Sequence, residues 1–200
     1  DLKNLIAQQS LVVKNAEKHK TNPEFVDDAI KTVANSVRRM EKLLAALTRQ
    51  QQPETVTTIA LCSLLKEVVA DASSRQPVPH LECEAGAFSV RADADRLGAV
   101  LGHLVRNAQD AVGGPHGSVS VTLRRNGDVH EISIVDEGVG MTGTFVREQL
   151  FRPFVSTKGA QGMGIGAYQA REYIRQLGGS LDVTSTPGDG TEFIASLPAV

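Results

Sequence analysis

Apolar residues at Val26, Ile30, Val33, Val37, Met40, Leu44 and Leu47 recur in alternating steps of four and three. That is a heptad seam, the pattern of a helix packed along its length in a bundle or coiled coil. The preceding segment repeats it more weakly at Leu2, Leu5, Gln9, Val12 and Ala16. Thr21-Asn22-Pro23-Glu24 reads as the turn between them, with Pro23 at the first position of the second helix. Residues 1–50 are therefore expected to form an antiparallel helical hairpin. Two helices have little core to bury, so the expected form is a dimeric four-helix bundle from two copies of the chain. The alternative is that the hairpin packs on the rest of the chain.

Gln50-Gln51-Gln52-Pro53 is polar and ends in proline, a linker that divides a hairpin domain (1–52) from a second domain (53–200). Beyond it the period changes. Short strands are expected over Val56–Ile59, Leu81–Cys83 and Phe88–Arg91, with an amphipathic helix over Leu61–Ser74. Asp93 is placed to cap a helix running to about Val112. Ser118–Arg125 and Val129–Val135 alternate around Asn126-Gly127, a hairpin signal. Gly166–Leu177 reads as a helix stopped at Gly178-Gly179. Leu181–Ser185 and Glu192–Leu197 read as strands joined by Thr186-Pro187-Gly188-Asp189-Gly190. Strand runs without regular strand-helix-strand alternation argue an α+β sandwich.

Composition adds exclusions. A net charge of -2 gives no electrostatic case for nucleic acid. No apolar run approaches the ~20 residues that cross a bilayer, and no signal peptide opens the chain. The start falls inside a helical pattern, as expected of a piece of something larger. Cys62 and Cys83 lack a metal-ligand spacing and read as two structural thiols in a reducing compartment.

Three segments carry candidate chemistry. Asn107 lies on the helix 93–112, with His103 one turn before it on the same face and Asp110 one turn after. An amide oxygen suits Mg2+, which takes oxygen ligands alongside waters and phosphates; a helical Asn is more often simply solvated. Asp136 ends the apolar strand Ile132-Ser133-Ile134-Val135 and is followed by Gly138 and Gly140. A buried carboxylate there needs a donor, which adenine's exocyclic amine would supply, although Asp-Glu-Gly is also ordinary turn chemistry. Gly162, Gly164 and Gly166 lead into a helix start, where backbone amides and the helix dipole favour anions; a flexible lid loop would use the same residues. The triplet is not a Walker A loop, since no Gly-Lys-Ser/Thr follows, nor a dinucleotide fingerprint, since no parallel βαβ unit surrounds it. Leu150-Phe151-Arg152-Pro153-Phe154 would pin the base of a loop from which Lys158 reaches a phosphate, or would simply be core.

In this order the segments resemble the ATP-binding domain of sensor histidine kinases, within the ATPase class shared with gyrase-type topoisomerases and heat-shock chaperones. His103–Val112 is similar to the N box, Asp136–Gly140 to the first glycine box, Phe151–Phe154 to the F box and Gly162–Gly166 to the second glycine box. Gly188-Asp189-Gly190-Thr191 resembles the last, where the threonine helps hold adenine. The resemblance implies ATP and Mg2+ as cofactors, the metal at Asn107, adenine at Asp136 and phosphate contacts from the glycine loop. Asp1-Leu2-Lys3-Asn4 resembles the end of an H box. By that match Asp1 is a general base, Asn4 positions water for dephosphorylation, and the phosphoacceptor histidine stands immediately before Asp1. His19, near the hairpin turn, reads as a solvated residue.

The wording around the H box and Gly159–Arg175 is similar to kinases of exosortase-associated exopolysaccharide systems. The resemblance also implies a homodimer, a response-regulator receiver domain as partner, and a cytoplasmic location within a parent protein that other parts anchor to a membrane. Gyrase- and chaperone-type relatives place a water-activating Glu where this chain has His103, which favours a kinase over a hydrolase. Intact Asn107, Asp136 and glycine boxes argue against a non-catalytic dimerisation module.

Overall fold

The computed structural model describes residues 2–19, 21–49, 55–114, 116–153, 155 and 164–200. Two compact units form, Asp1–Pro53 and Glu54–Val200. In the first, helices α1 (Leu2–His19) and α2 (Pro23–Arg49) contact each other. Asn22 Oδ1 accepts from the Glu24 N–H at 3.0 Å, so α2 starts with Asn as cap and Pro23 at its first position. Gln9 Nε2 donates to Ser36 Oγ at 2.6 Å, and that hydroxyl donates to the Thr32 carbonyl at 3.0 Å. Ser36 is buried, so this polar tie fixes one helix against the other. The seam residues Val26, Ile30, Val33 and Val37 remain exposed, Ile30 to 62%. Ala16, Phe25, Ala29 and Ala34 line an apolar groove with Ile30 and Val33.

The second unit runs β1 (Val56–Ala60), α3 (Leu61–Ala72), β2 (His80–Cys83), β3 (Ser89–Asp93), α4 (Ala94–Val112), β4 (Val119–Asn126), β5 (Val129–Asp136), α5 (Gly143–Glu148), α6 (Gly166–Gln176), β6 (Ser180–Thr186) and β7 (Gly190–Pro198). β1 and β3 pair antiparallel. The other strands form a five-stranded sheet in the order β2-β4-β5-β7-β6. Helices α3, α4 and α6 layer against it, giving an α+β sandwich.

Alternation sets the buried face. Val119, Val121 and Leu123 of β4, Ile132 and Ile134 of β5, and Phe193, Ala195 and Leu197 of β7 all point into the core. From the other side α4 inserts Leu97, Leu101, Leu104, Val105 and Ala108, each large side chain contributing about 1.5–3 kcal/mol. Truncating fully buried Leu101 to alanine would cost about 2–5 kcal/mol.

Both ends of α4 are defined by local chemistry. Asp93 caps its start, its carboxylate accepting from the Arg96 N–H and, on the other oxygen, from the Thr55 N–H, both at 2.9 Å. Gly113, in a left-handed conformation at φ 70°, ends it. At the end of α6 the Gly178 and Gly179 amides bond back to the Arg175 and Ile174 carbonyls, as the paired glycines imply.

Four features differ from the sequence reading. The β4–β5 pairing closes at Asn126 and Val129, so the turn is Gly127-Asp128, one residue later than Asn126-Gly127. Gly127 then takes the positive φ of 58° that the turn requires. β2 pairs parallel with β4, a long-range choice with no local signal. Short α5, capped by the Thr142 hydroxyl, was not expected from periodicity because it buries no residue. Finally, Cys62 at the start of α3 and Cys83 at the end of β2 form a disulfide across 6.2 Å between Cα atoms, correcting the expectation of two thiols.

Candidate functional site

The parity that buries Ile132 and Ile134 also turns Asp136 inward, leaving it 3% exposed. Its Oδ1 accepts from the Gly138 N–H at 2.9 Å, so the carboxylate organises the turn that follows β5. Thr191 is its cross-strand partner on β7 and is likewise buried. Ser185 on β6 ties the group together: its Oγ lies 2.9 Å from Thr191 Oγ1, reaches the Gly190 carbonyl at 2.8 Å and accepts from the Met141 N–H at 2.8 Å. Sequence reading missed Ser185, whose signal exists only in the β6–β7 register.

The glycines are there because backbone approaches backbone. A Cβ on Gly138 would lie 2.5 and 2.6 Å from the carbonyl carbon and oxygen of Ala111 on α4. The next amide, Val139 N–H, donates to that same carbonyl at 3.2 Å. Gly140, at φ 63°, abuts the Thr186 carbonyl, and the Gly188 N–H donates to the Val139 carbonyl at 2.9 Å. The loop after β5 is thus clamped between α4 and the β6–β7 turn.

Asn107 occupies the stripe of α4 that connects these parts. Ala111, four residues on, touches Gly138; His103, four residues back, touches Gly166, the first residue of α6. Positions 103, 107 and 111 share one helix face. Half-buried Asn107 therefore lies on α4 midway between contacts to the β5 loop and to the α6 start. Gly164, at φ 63°, packs on the backbone of Val155. Ile165, the N-cap of α6, makes no side-chain hydrogen bond to the first turn.

Asp110 forms an ion pair with Arg75, beyond the end of α3, at 2.7 Å. Phe151 is half-buried under the Arg171 guanidinium, 4.5 Å from its ring centre, which links the segment after α5 to α6. Asp1, Phe154, Lys158 and Gly162 lie outside the described residues, as does the side chain of Asn4. Gln109 was also missed: fully buried on α4, its amide donates to the carbonyls of Ala72, Arg75 and Pro77 at 3.0–3.1 Å and anchors the chain after α3.

Charge states support the scaffold. The Asp93 carboxyl is held below the usual range by its bonds to the Arg96 and Thr55 amides. Burial raises the Tyr173 hydroxyl, which accepts from the Asp93 N–H at 3.1 Å and so joins α6 to the start of α4. Among the described residues no cluster of three or more His, Cys, Asp and Glu could hold a metal ion. No described helix is long and apolar enough to cross a membrane.

The family model for histidine kinase-, DNA gyrase B-, and HSP90-like ATPases matches residues 92–200. The chain is 36% identical over 135 residues to sensor histidine kinase ZraS of Klebsiella oxytoca, covering 67% of this chain and 29% of that protein. It thus spans less than a third of that relative's length. The solved catalytic domain of histidine kinase ThkA aligns with a TM-score of 0.62 at 26% identity, over 72% of this chain and 95% of that one. ThkA solved in complex with the response regulator protein TrrA shares the fold over 99% of this chain and 58% of that one, with a TM-score of 0.66 at 23% identity.

Proposed function

The chain belongs to the histidine kinase-, DNA gyrase B-, and HSP90-like ATPase family, and we propose that it is the cytoplasmic kinase core of a two-component sensor. The observation that carries the reading is the buried pair Asp136 and Thr191, opposite each other on β5 and β7, with Gly138 beyond Asp136 pressed onto α4. Adenine would sit at this end of the sheet, its exocyclic amine donating to Asp136 and Thr191 helping to hold the ring. A charge-assisted bond of this kind is worth about 1.5–3 kcal/mol.

The residues present also suit Mg2+ and a triphosphate. Asn107 offers an amide oxygen on the face of α4 that meets the start of α6, where His103 packs on Gly166. Gly162 and Lys158 would extend that cradle. When bound, Mg2+ would neutralise charge on the phosphates. The chain's own part is positioning: Asp136 and Thr191 fix the base, and Asn107 and the α6 amides orient the γ-phosphate for in-line transfer. The acceptor would be a histidine immediately preceding Asp1 in the parent protein, with Asp1 as general base. Asn4 would serve dephosphorylation of the partner, an aspartate-bearing receiver domain. The exposed seam of α2 supports a homodimer through the hairpin, where Val26, Ile30, Val33 and Val37 would be covered by a second copy. The likeness to kinases of exosortase-associated exopolysaccharide systems rests on sequence wording alone.

The test extends the chain by one histidine before Asp1 and supplies labelled ATP. Acid-labile label on that histidine is expected; none, with the fold intact, would sink the kinase reading. Asp136→Asn should weaken ATP binding about 10- to 100-fold by calorimetry, and unchanged affinity would refute the adenine role.

A further inference from the structure

His103 is the motif residue that the reading above leaves without a role. Its imidazole is half-buried on α4, one turn before Asn107, and it meets α6 at Gly166. A Cβ built on Gly166 would overlap Nε2, Cδ2 and Cε1 of the ring. Gly166 sits at φ outside the left-handed region, so conformation does not demand glycine there. The demand is steric: the ring fills the volume that any other side chain would take. The first residue of α6 is thus a glycine where a side chain would meet the ring.

We propose that His103 is a positioning residue, a spacer that sets the first turn of α6 against the face of α4 bearing Asn107. It rests on the nucleotide-site reading, in which the α6 amides and Asn107 serve the same phosphates. The contact is a matched pair of large and small: a planar ring on one helix, an absent side chain on the other. Shortening the ring lets α6 settle toward α4; enlarging Gly166 pushes it away. Either change moves the amides relative to Asn107, while Leu97, Leu101, Ala170 and Ile174 keep both helices in the buried core.

The experiment measures affinity for Mg-ADP by calorimetry in the full 200-residue chain. It compares the wild type with Gly166→Ala, His103→Ala, His103→Phe and the double variant His103→Ala/Gly166→Ala, and records a nucleotide-free melt for each. Gly166→Ala is expected to weaken binding about tenfold or more, the scale of an overpacked contact. His103→Ala should weaken it severalfold, and His103→Phe, which keeps a planar ring, should stay nearer the wild type. The double variant should bind better than Gly166→Ala alone, because deleting the ring makes room for the methyl group. A merely structural contact predicts the same rescue in the nucleotide-free melt, with Mg-ADP affinity unchanged in every variant that folds.

A double variant no better than Gly166→Ala overturns the proposal. If Gly166→Ala does not fold, the His103 variants decide: His103→Ala binding as tightly as wild type overturns it, and His103→Phe rescuing the loss supports it. A wild-type chain that fails to bind Mg-ADP overturns the nucleotide-site reading and this role with it. Binding without rescue overturns this role alone.

Discussion

Asp136 and Thr191 face each other across β5 and β7, both turned to the side of the sheet that α4 covers. Asp136 ends β5 after the inward positions Ile132 and Ile134, and Thr191 opens β7 before the inward positions Phe193 and Ala195. Because strand parity is strict, the same register that builds the core aims both polar groups at one point.

Thr191→Val tests that point with almost no change of shape. It removes the hydroxyl 2.9 Å from Ser185 Oγ. The expected result is a stability loss of about 0.5–1.5 kcal/mol in chemical denaturation, with nucleotide affinity falling severalfold in calorimetry. Equal affinity would remove Thr191 from the site.

Gly138→Ala asks whether the β5 loop must touch α4. The added methyl would lie 2.5–2.7 Å from three atoms of Ala111, backbone among them. The loop would have to leave α4, breaking the Val139–Ala111 bond. We expect destabilisation of about 1–3 kcal/mol and loss of nucleotide binding, read by melting and calorimetry on the same sample.

Asp93→Ala removes the cap of α4 and the tie to Thr55. The expected cost is about 0.5–2 kcal/mol, and Asp93→Asn should recover most of it. The folded-state pKa of Asp93 is depressed. Its contribution is therefore complete above the unfolded value of 3.8 and is lost as pH falls through the folded one. Urea titrations at several acidic pH values would show the gap between wild type and Asp93→Asn closing as pH drops.

His130 gives a second pH dependence. It is 1% exposed on β5 and sits edge-on to Phe88, with ring centres 5.0 Å apart. Burial first, then the Arg125 charge, holds its pKa below the ordinary 6.5. Below about 6.5 the unfolded chain takes up a proton that the folded chain refuses, so stability falls as pH drops through that window. His130→Leu should flatten the dependence of melting temperature between about pH 7 and 5; an unchanged slope would remove His130 as its source.

Much of the fold was legible because its signals are local. Asp93 followed by an apolar period marked α4, and Gly178-Gly179 marked the end of α6. Asn22-Pro23 marked the start of α2. α5 left no trace because it buries nothing, and the parallel β2–β4 pair left none because its partners lie about forty residues apart. Cys62 and Cys83 gave no metal spacing, yet the packing of α3 against β2 brings them together. Ser185, Gln109 and Ala111 looked like ordinary strand and helix residues. Their importance lies in what crosses over to meet them.

By itself the sequence determined which residue types stand at which ends of which elements: Asn107 on a helix, Asp136 after an apolar strand, glycines before another helix. Period, caps and glycine conformational freedom are properties of short segments, so they can be read without a partner. Only tertiary structure decided that 103, 107 and 111 form one stripe touching Gly166 and Gly138, that Thr191 lies opposite Asp136, and that Asp110 turns to Arg75. Those are steric and register relations between distant segments, fixed when the sheet and the helix layer pack to exclude water and leave no room for a side chain at either glycine.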